Sequence, residues 1–213
     1  MRKAFICPTK YVQGENELLN LGYFVETYGK SALLIAHPED IKRVKDKLDA
    51  TAKKFNIEFV EGGFKGECSR QEVKRLQDLA KEMKCDCTVG LGGGKALDTA
   101  KCVAEGEKLI VVPTIAATDA PTSHSAVLYT EDGSFDDYAY FKASPSVVLV
   151  DTEVIAKAPT RFLVAGMGDA LSTYFEARAT SSSFTKVNAG LPCGVREDKC
   201  RPAIGTNASL ELA

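Results

Sequence analysis

The sequence predicts an α/β fold, in which a parallel sheet with crossover helices is followed by the start of an all-helical domain. One observation is the alternation of short apolar runs with segments of helical periodicity, which is typical of parallel sheets. A second is the run of three glycines, Gly92–Gly94, between a predicted strand and a predicted helix. A third is the change after residue 158, where strand-like runs give way to a longer helical segment, Arg161–Ala179.

Each predicted strand of the first part is a short run rich in apolar or β-branched residues. The runs are Ala4–Pro8, Ser31–Ala36, Ile57–Gly62, Cys87–Leu91 and Lys108–Pro113. Between them, apolar residues at helical spacing predict a helix over 38–55. The sequence "SRQE" at 69–72 has the form of a capping box and predicts the start of another helix. Its expected buried face consists of Val73, Leu76, Ala80 and Met83.

The part after Pro113 is less regular. A polar loop, Thr114–Ser125, precedes a predicted hairpin with turn residues at 131–134. A buried strand at 146–151 and a short helix at 152–158 close the domain, so the boundary is placed between residues 158 and 159. Beyond Ala179 no clear period is seen until a short helical start near the end. A helix of two turns is marginal alone, so we expect the N-terminal part of a larger protein.

Composition and charge argue against several classes of protein. The 213 residues carry a net charge of −2, which indicates neither a nucleic-acid nor a membrane surface. No apolar run reaches the ~18 residues of a spanning helix, and no signal peptide is apparent. Seven cysteines without a secretory signal argue against a disulfide framework, and Cys193 with Cys200 does not resemble half of a metal clip. We therefore expect a cytoplasmic, enzyme-like domain.

The glycine loop is the first candidate site. It lies at the carboxyl edge of the predicted sheet, where open α/β sheets bind ligands. Glycines let backbone N–H groups approach an anion closely, and a helix N-terminus favours negative charge. The loop matches neither GxGxxG nor GxxxxGK[ST]. Because Lys95 is followed by Ala96, a nucleoside triphosphatase is disfavoured. Alternatively, the glycines mark only a tight turn and close helix–sheet packing.

Other polar residues have both a structural and a functional interpretation. Asp98 and Lys101 share a helix face and could form an ordinary surface ion pair. Asp119 could be a turn residue, His124 a structural histidine, and Asp169 an acidic residue favoured by the helix dipole. One carboxylate cannot hold a catalytic zinc, which typically takes three protein ligands.

Taken together, several stretches resemble the glycerol dehydrogenases of the iron-containing (group III) alcohol dehydrogenase family. The similar stretches, in order, are "KYVQG" (10–14), "GLGGGKALDTAK" (90–101), "VVPTIAATDAPTSHSAVLYTEDGSF" (111–135), "VLVDTEVIAKAPTRFL" (148–163) and "GMGDALSTYFEARA" (166–179). They cover most of the chain up to about residue 179. The glycine loop alone would indicate only the superfamily, whereas "PTIAATDAPTS" narrows the resemblance to the glycerol dehydrogenases within it.

The resemblance implies a Rossmann-like nucleotide-binding domain over residues 1–158 and an incomplete N-terminal part of a helical metal-binding domain over 159–213. NAD would lie in the cleft between them, with the glycines at its pyrophosphate and Asp98 beside the nicotinamide. The implied cofactor-binding residues are Gly92, Gly93, Gly94, Lys95, Asp98, Thr114, Thr118, Ser123, Ser125, Val127, Tyr129 and His37. Asp119 would contact the substrate's hydroxyls. Asp169 would be the first ligand of a catalytic zinc, which would polarise the substrate oxygen.

The sequence departs from the family's pattern at three places. His37 stands where an acidic residue often contacts the adenosine ribose, which leaves the choice between NAD and NADP open. His124 and Ser125 replace apolar residues of the cofactor-lining loop. The family's other two metal ligands are histidines of the later helical domain, and neither His37 nor His124 matches them.

The leading hypothesis is NAD-dependent, metal-assisted oxidation of glycerol to dihydroxyacetone by a truncated or split chain that is inactive alone. Alternatives are a glycerol-1-phosphate dehydrogenase or another polyol dehydrogenase of the superfamily, and a non-catalytic dinucleotide-binding remnant. The expected partners are a small-molecule polyol and either a homo-oligomer or a complementing C-terminal chain, with no nucleic acid and no membrane.

Overall fold

A computed structural model describes residues 7–182, and for residues 176–182 it describes the backbone alone. The strands are β1 (Lys10–Gly14), β2 (Ser31–Ala36), β3 (Glu58–Glu61), β4 (Cys87–Gly92), β5 (Leu109–Pro113), β6 (Ser125–Tyr129), β7 (Phe135–Tyr140) and β8 (Val147–Asp151). The α-helices are α1 (Leu21–Glu26), α2 (Pro38–Phe55), α3 (Arg70–Glu82), α4 (Gly94–Ala104), α5 (Thr152–Ala156) and α6 (Thr160–Ser182). A 3-10 turn, Glu17–Asn20, precedes α1.

Within this part of the chain, six strands form a parallel sheet in the order β1-β8-β5-β4-β2-β3. β6 and β7 form a separate antiparallel hairpin. The predicted α/β fold with a parallel sheet is confirmed. The predicted hairpin is also present.

The central strands are buried on both faces, which explains their continuous apolar sequences. Side chains of β2 alternate between two clusters: Leu34 packs with α1 and α2 on one face, and Leu33 and Ile35 pack with α3 and α4 on the other. Burying one such side chain contributes roughly 1.5–3 kcal/mol, so these two layers supply most of the driving force for folding.

Local capping fixes the helix starts. Helix α2 spans the predicted residues, with Pro38 in its first turn and a left-handed Asn56 at its end. Helix α3 begins after Ser69, whose Oγ accepts a hydrogen bond from the Glu72 N–H at 3.2 Å. The capping box is only half formed, because a carboxylate oxygen of Glu72 accepts the Lys65 N–H instead. The start of α3 is therefore predicted correctly, although its capping contacts differ.

Three details differ from the sequence prediction. The first strand of the described residues is β1, which was not predicted; it is an exposed edge strand and lacks the apolar run of a buried one. Of the predicted strand Ala4–Pro8, Cys7 and Pro8 are not in a strand, and residues 4–6 lie outside the described residues. Met83 is 45% exposed rather than buried, because α3 ends one residue earlier. The turn Glu17–Asn20 and helix α1 were not predicted, since both are too short to show a period.

Asp151 ties the end of β8 to its surroundings. Its carboxylate caps α5 by accepting the N–H groups of Glu153 and Val154, and it also accepts the Leu18 N–H and the Lys47 ammonium, at 2.8 Å. Burial alone would raise the pKa of Asp151, but the Lys47 ammonium and the N–H donors outweigh it and lower that pKa. This buried anchor fixes the region where the predicted domain boundary lies.

The five cysteines within the described residues are free thiols. Cys193, Cys200 and most of the segment after α6 lie outside the described residues. Among the described helices, none combines the length and apolar character needed to cross a membrane.

Candidate functional site

The carboxyl ends of β2 and β4 form a topological switch point. β4 lies beside β2, and Ala36 pairs with Leu91, so the residues that follow the two strands are neighbours. β3, which follows β2 in the chain, lies beside β2 on the side away from β4. β5, which follows β4 in the chain, lies beside β4 on the side away from β2. Helices therefore leave the two strands in opposite directions, which opens a crevice of the kind that binds ligands in α/β sheets.

The three glycines line this crevice. Gly92 has a φ of +147°, a conformation that side chains rarely adopt, and an added Cβ would lie 3.0 Å from the Cβ of Ala96. Gly93 is the N-cap of α4 and offers no capping side chain, so the first N–H groups of this helix have no side-chain acceptor there. The arrangement supplies backbone donors and a favourable dipole to an anion, as a pyrophosphate requires.

Gly90, which lies in β4 two residues before Gly92, has a packing role. An added Cβ would lie 2.5 Å from the Cβ of Ala100, so α4 can approach β4 only because this residue is a glycine. Close helix–sheet packing, which was the alternative interpretation for the three loop glycines, is thus required at Gly90, a glycine that the sequence analysis did not consider separately. The three loop glycines lie beyond this contact, at the crevice.

Asp98 and Lys101 form a buried ion pair, whereas the structural interpretation of their spacing allowed an ordinary surface pair. Lys101 is 1% exposed, and its ammonium donates to Asp98 Oδ1, Ser123 Oγ and the Ser125 carbonyl, at 2.8–3.0 Å. Asp98 Oδ2 accepts the Val127 N–H at 3.0 Å. Burial raises the pKa of the Asp98 carboxyl, although Lys101 counters this effect. The pair fastens the hairpin and the preceding loop onto α4.

The hairpin and α4 also meet through Lys95. Its ammonium donates to Glu67 Oε1 at 2.5 Å and lies 5.2 Å from the ring centre of Tyr129. The Tyr129 N–H donates to the Cys68 carbonyl at 2.9 Å. Lys95 therefore contacts neighbouring side chains rather than standing free at the glycine loop.

A carboxylate that the sequence analysis did not single out, Asp40, lies beside the loop. Its Oδ1 accepts a hydrogen bond from Thr114 Oγ1 at 3.0 Å. The same oxygen forms an ion pair with the Arg43 guanidinium, at 3.2 Å. Its Oδ2 would lie 3.4 Å from a Cβ added to Gly92. The only sequence signal was an acidic residue in the first turn of α2, which the helix dipole alone would explain.

The two histidines have different surroundings. His37 caps α2, with Nδ1 accepting the Glu39 N–H at 3.3 Å, at the end of β2. His124 is buried, and its Nε2 has no hydrogen-bond partner among the described residues. Burial, and secondarily Lys101, lowers the pKa of His124.

Asp119 and Asp169 meet at the same edge. Oδ2 of Asp169, which is exposed on α6, accepts the Asp119 N–H at 3.3 Å. Thr118 lies alongside, with its methyl group 3.6 Å from a Cβ added to Gly94. The structure thus brings the predicted substrate residue, the predicted metal ligand and the glycine loop to one edge of the sheet.

No complete metal site is formed by the residues that the structure describes. No cluster of three or more His, Cys, Asp or Glu side chains in residues 7–175 has an arrangement that could hold a metal ion. Asp169 is the one predicted ligand within the described range, and a catalytic zinc typically needs three. The described residues therefore do not by themselves fit a catalytic metal.

Comparison with known proteins gives consistent matches. Residues 8–152 match the family model described as iron-containing alcohol dehydrogenase. A glycerol dehydrogenase from Pseudomonas putida is 45% identical over 194 residues, which are 90% of this chain and 53% of that protein. A glycolaldehyde reductase from Halobacterium salinarum is 41% identical over 185 residues, which are 86% of this chain and 51% of that protein.

Solved structures agree with these sequence matches. The crystal structure of glycerol dehydrogenase from Schizosaccharomyces pombe superposes with a TM-score of 0.75 at 34% identity. The superposition covers 86% of this chain and 48% of that one. The chain therefore spans about half the length of the curated relatives it matches.

Proposed function

Since the chain belongs to the iron-containing alcohol dehydrogenase family, we propose that it supplies the NAD-binding half of a dehydrogenase that oxidises glycerol to dihydroxyacetone. The observation that carries the proposal is the glycine loop at the switch point, with an uncapped helix N-terminus behind it. The similarity to glycerol dehydrogenases supports the substrate. The similarity to a glycolaldehyde reductase keeps other small hydroxylated substrates as the second candidate class.

The residues present fit a dinucleotide. Gly92, Gly93 and Gly94 leave open the space that Cβ atoms would fill, and the N–H groups of α4 would donate to the pyrophosphate. Thr114, Ser123, Ser125, Val127 and Tyr129 would line the cofactor, together with Thr118 and Lys95. When bound, NAD⁺ supplies the hydride acceptor.

Asp98 has a positioning role in this proposal. Its carboxylate and Lys101 hold Ser123, Ser125 and Val127 against α4, so the hairpin wall of the cofactor site has a fixed place. Burial of both charged groups excludes water from behind that wall. Asp98 would then influence the nicotinamide end of the cofactor indirectly, by keeping the hairpin wall in position.

Substrate hydroxyls would meet Asp119 at the edge shared with Asp169. A carboxylate accepts hydrogen bonds from alcohol O–H groups, and both residues lie on the exposed side of the loop. The hydrogen bond between the Asp119 N–H and Asp169 would keep these two carboxylates next to the part of the crevice where the cofactor would lie. No step is assigned to a metal, since Asp169 is the only proposed zinc ligand that the described residues provide.

We propose that the remaining metal ligands belong to a helical domain equivalent to the part of the relatives that this chain does not cover. An apolar, exposed face of α6 supports this. The side chains of Leu163, Met167, Leu171 and Phe175 repeat every four residues and are each at least half exposed. A helical domain of this kind, in a complementing chain, would cover such a face.

The proposal is tested by complementation. The chain would be mixed with the C-terminal half of the Pseudomonas putida relative, with zinc or iron added, and NADH formation from glycerol followed by absorbance. We expect turnover only after mixing, and no tight zinc binding by the chain alone. Glycerol-1-phosphate with NAD⁺, followed by NADH formation, and glycolaldehyde with NADH, followed by NADH consumption, separate the candidate substrates when assayed in parallel.

Two results would contradict the proposal. Folded halves that associate and bind NAD⁺ but convert none of these substrates would favour a non-catalytic dinucleotide-binding protein. Metal-dependent turnover by the 213-residue chain alone would refute the requirement for a second helical domain.

A further inference from the structure

One carboxylate oxygen at the edge of the crevice has no hydrogen-bond partner within the described part of the chain. It is Oδ2 of Asp40, whose Oδ1 is already held by Thr114 and Arg43. Because Oδ2 lies 3.4 Å from the place where a Cβ of Gly92 would be, it faces the first glycine of the loop. Asp40 is only partly exposed, with 21% of its side chain accessible. A charged acceptor is thus fixed at the point where β2 and β4 end.

Dinucleotide-binding folds usually place a carboxylate near the end of the second strand, where it accepts hydrogen bonds from the adenosine ribose. His37 occupies that position here. Its Nδ1 accepts the Glu39 N–H, so the neutral ring carries its proton on Nε2, and the protonated ring has no acceptor at all. His37 can therefore donate to a ribose hydroxyl but cannot accept from one.

We propose that Asp40 selects NAD over NADP in this chain, by accepting a hydrogen bond from the adenosine ribose at Oδ2 and by repelling a 2′-phosphate. The inference rests on the proposed NAD site and adds the residue that reads the ribose. The carboxylate lies one turn along α2 from His37, on the side of the helix that meets Gly92 and Thr114.

The charges around Asp40 determine what its removal would do. Arg43 is paired with Asp40, and His37 and Glu39 lie in the same turn. In the Asp40→Asn variant the Arg43 guanidinium loses its counter-charge and becomes available to a 2′-phosphate, which carries a charge of about −1.5 to −2. The substitution therefore removes repulsion and adds attraction for the phosphorylated ligand.

A purely structural role makes a different prediction. As a tether, Asp40 acts through Oδ1 and Thr114, and Thr114→Val would break the tether while leaving the carboxylate charge in place. Loss of the tether lowers stability and weakens both ligands together. Only a ribose-reading role changes the ratio of the two affinities.

The test is calorimetric titration of the 213-residue chain with ADP-ribose and with 2′-phospho-ADP-ribose. These probes omit the nicotinamide and require no turnover. We expect the wild-type chain to bind ADP-ribose at least roughly tenfold more tightly, about 1.4 kcal/mol. Asp40→Asn should reduce this preference to about threefold or reverse it, because a charge–charge term of this size disappears. Asp49→Asn, an exposed carboxylate on the same helix, should leave the preference unchanged.

His37→Asp serves as a rescue. Combined with Asp40→Asn, it should restore the preference for ADP-ribose by returning a carboxylate to the end of β2. An unchanged preference in folded Asp40→Asn would overturn the inference and leave the proposed NAD site standing. Should Asp40→Asn fail to fold, Asp40→Ser replaces it, since this variant also removes the carboxylate charge; a reduced preference for ADP-ribose would support the inference, and an unchanged preference in the folded variant would overturn it. Failure of the wild-type chain to bind either probe would overturn both proposals.

Discussion

Oδ2 of Asp169 accepts a hydrogen bond from the backbone N–H of Asp119, at 3.3 Å, across fifty residues of sequence. This contact joins the first turns of the helical segment to the polar loop that follows β5. The approach is close, because a Cβ added to Gly166 would lie 2.2 Å from the Ala116 carbonyl oxygen. The position of α6 against the loop therefore depends on one glycine and one hydrogen bond.

The close approach makes two glycines of α6 respond differently to the same substitution. Gly166→Ala should displace α6 from the loop and cost about 1–3 kcal/mol of unfolding free energy, less any gain in helix propensity. Gly168→Ala, where an added Cβ meets nothing within 4 Å, should instead stabilise by roughly 0.5–1 kcal/mol. Urea unfolding monitored by circular dichroism measures both, and equal effects would contradict the described packing of α6.

Lys101 should be among the most sensitive charged residues of the chain. Lys101→Met leaves the Asp98 carboxylate buried without its counter-charge, and we expect a loss of about 3–5 kcal/mol. Lys74→Met, which removes an exposed ion pair with Asp78, is the matched control and should change stability by less than about 1 kcal/mol. A loss in Lys101→Met no larger than in the control would show that the ammonium is not buried as described.

Acid should weaken the Asp151 anchor. Because the folded-state pKa of Asp151 is lowered, its contribution is fully present above the unfolded-state pKa of about 3.9 and is lost as pH falls through the folded-state value. Lys47→Met removes the main stabilising partner and should cost about 1.5–3 kcal/mol at pH 7. The difference from wild type should shrink below about pH 4, as Asp151 becomes protonated. Unfolding free energies measured from pH 7 to pH 3 test this, and a constant difference would contradict it.

The apolar face of α6 is expected to take part in assembly with the helical domain proposed above. Met167→Lys places a charge in the middle of this face and should leave the chain folded while abolishing complementation in the NADH assay. Met83→Lys, at an exposed apolar residue directly after α3, should have no effect on complementation. Complementation that survives Met167→Lys would show that another surface is used.

Much of the fold follows from periodicity. Helix α2 was predicted residue for residue, because an apolar stripe at helical spacing marks it. The strands β2, β4 and β5 were predicted because burial on both faces demands continuous apolar sequence. β1 escaped prediction because an edge strand with an exposed face shows no such run.

The candidate site was predictable in its backbone but not in its charges. Glycines at a strand–helix junction indicate a ligand loop from sequence alone. The spacing of Asp98 and Lys101 could not reveal that the hairpin covers them, since that contact joins residues distant in the chain. Asp40 was missed for the same reason, because its neighbours Gly92 and Thr114 come from two other strands.

The most direct test of the central claim is a calorimetric titration of NAD⁺ into the wild-type chain and its Gly94→Ala variant. An added Cβ at Gly94 makes only ordinary contacts of 3.6 and 3.9 Å with Thr118 and Ala120, so the variant should fold normally. It would occupy the space in front of the first turn of α4, and we expect NAD⁺ to bind the wild type and to bind Gly94→Ala at least about tenfold more weakly. Equal affinity of the two proteins, or no binding to the wild type, would contradict a dinucleotide site at the glycine loop.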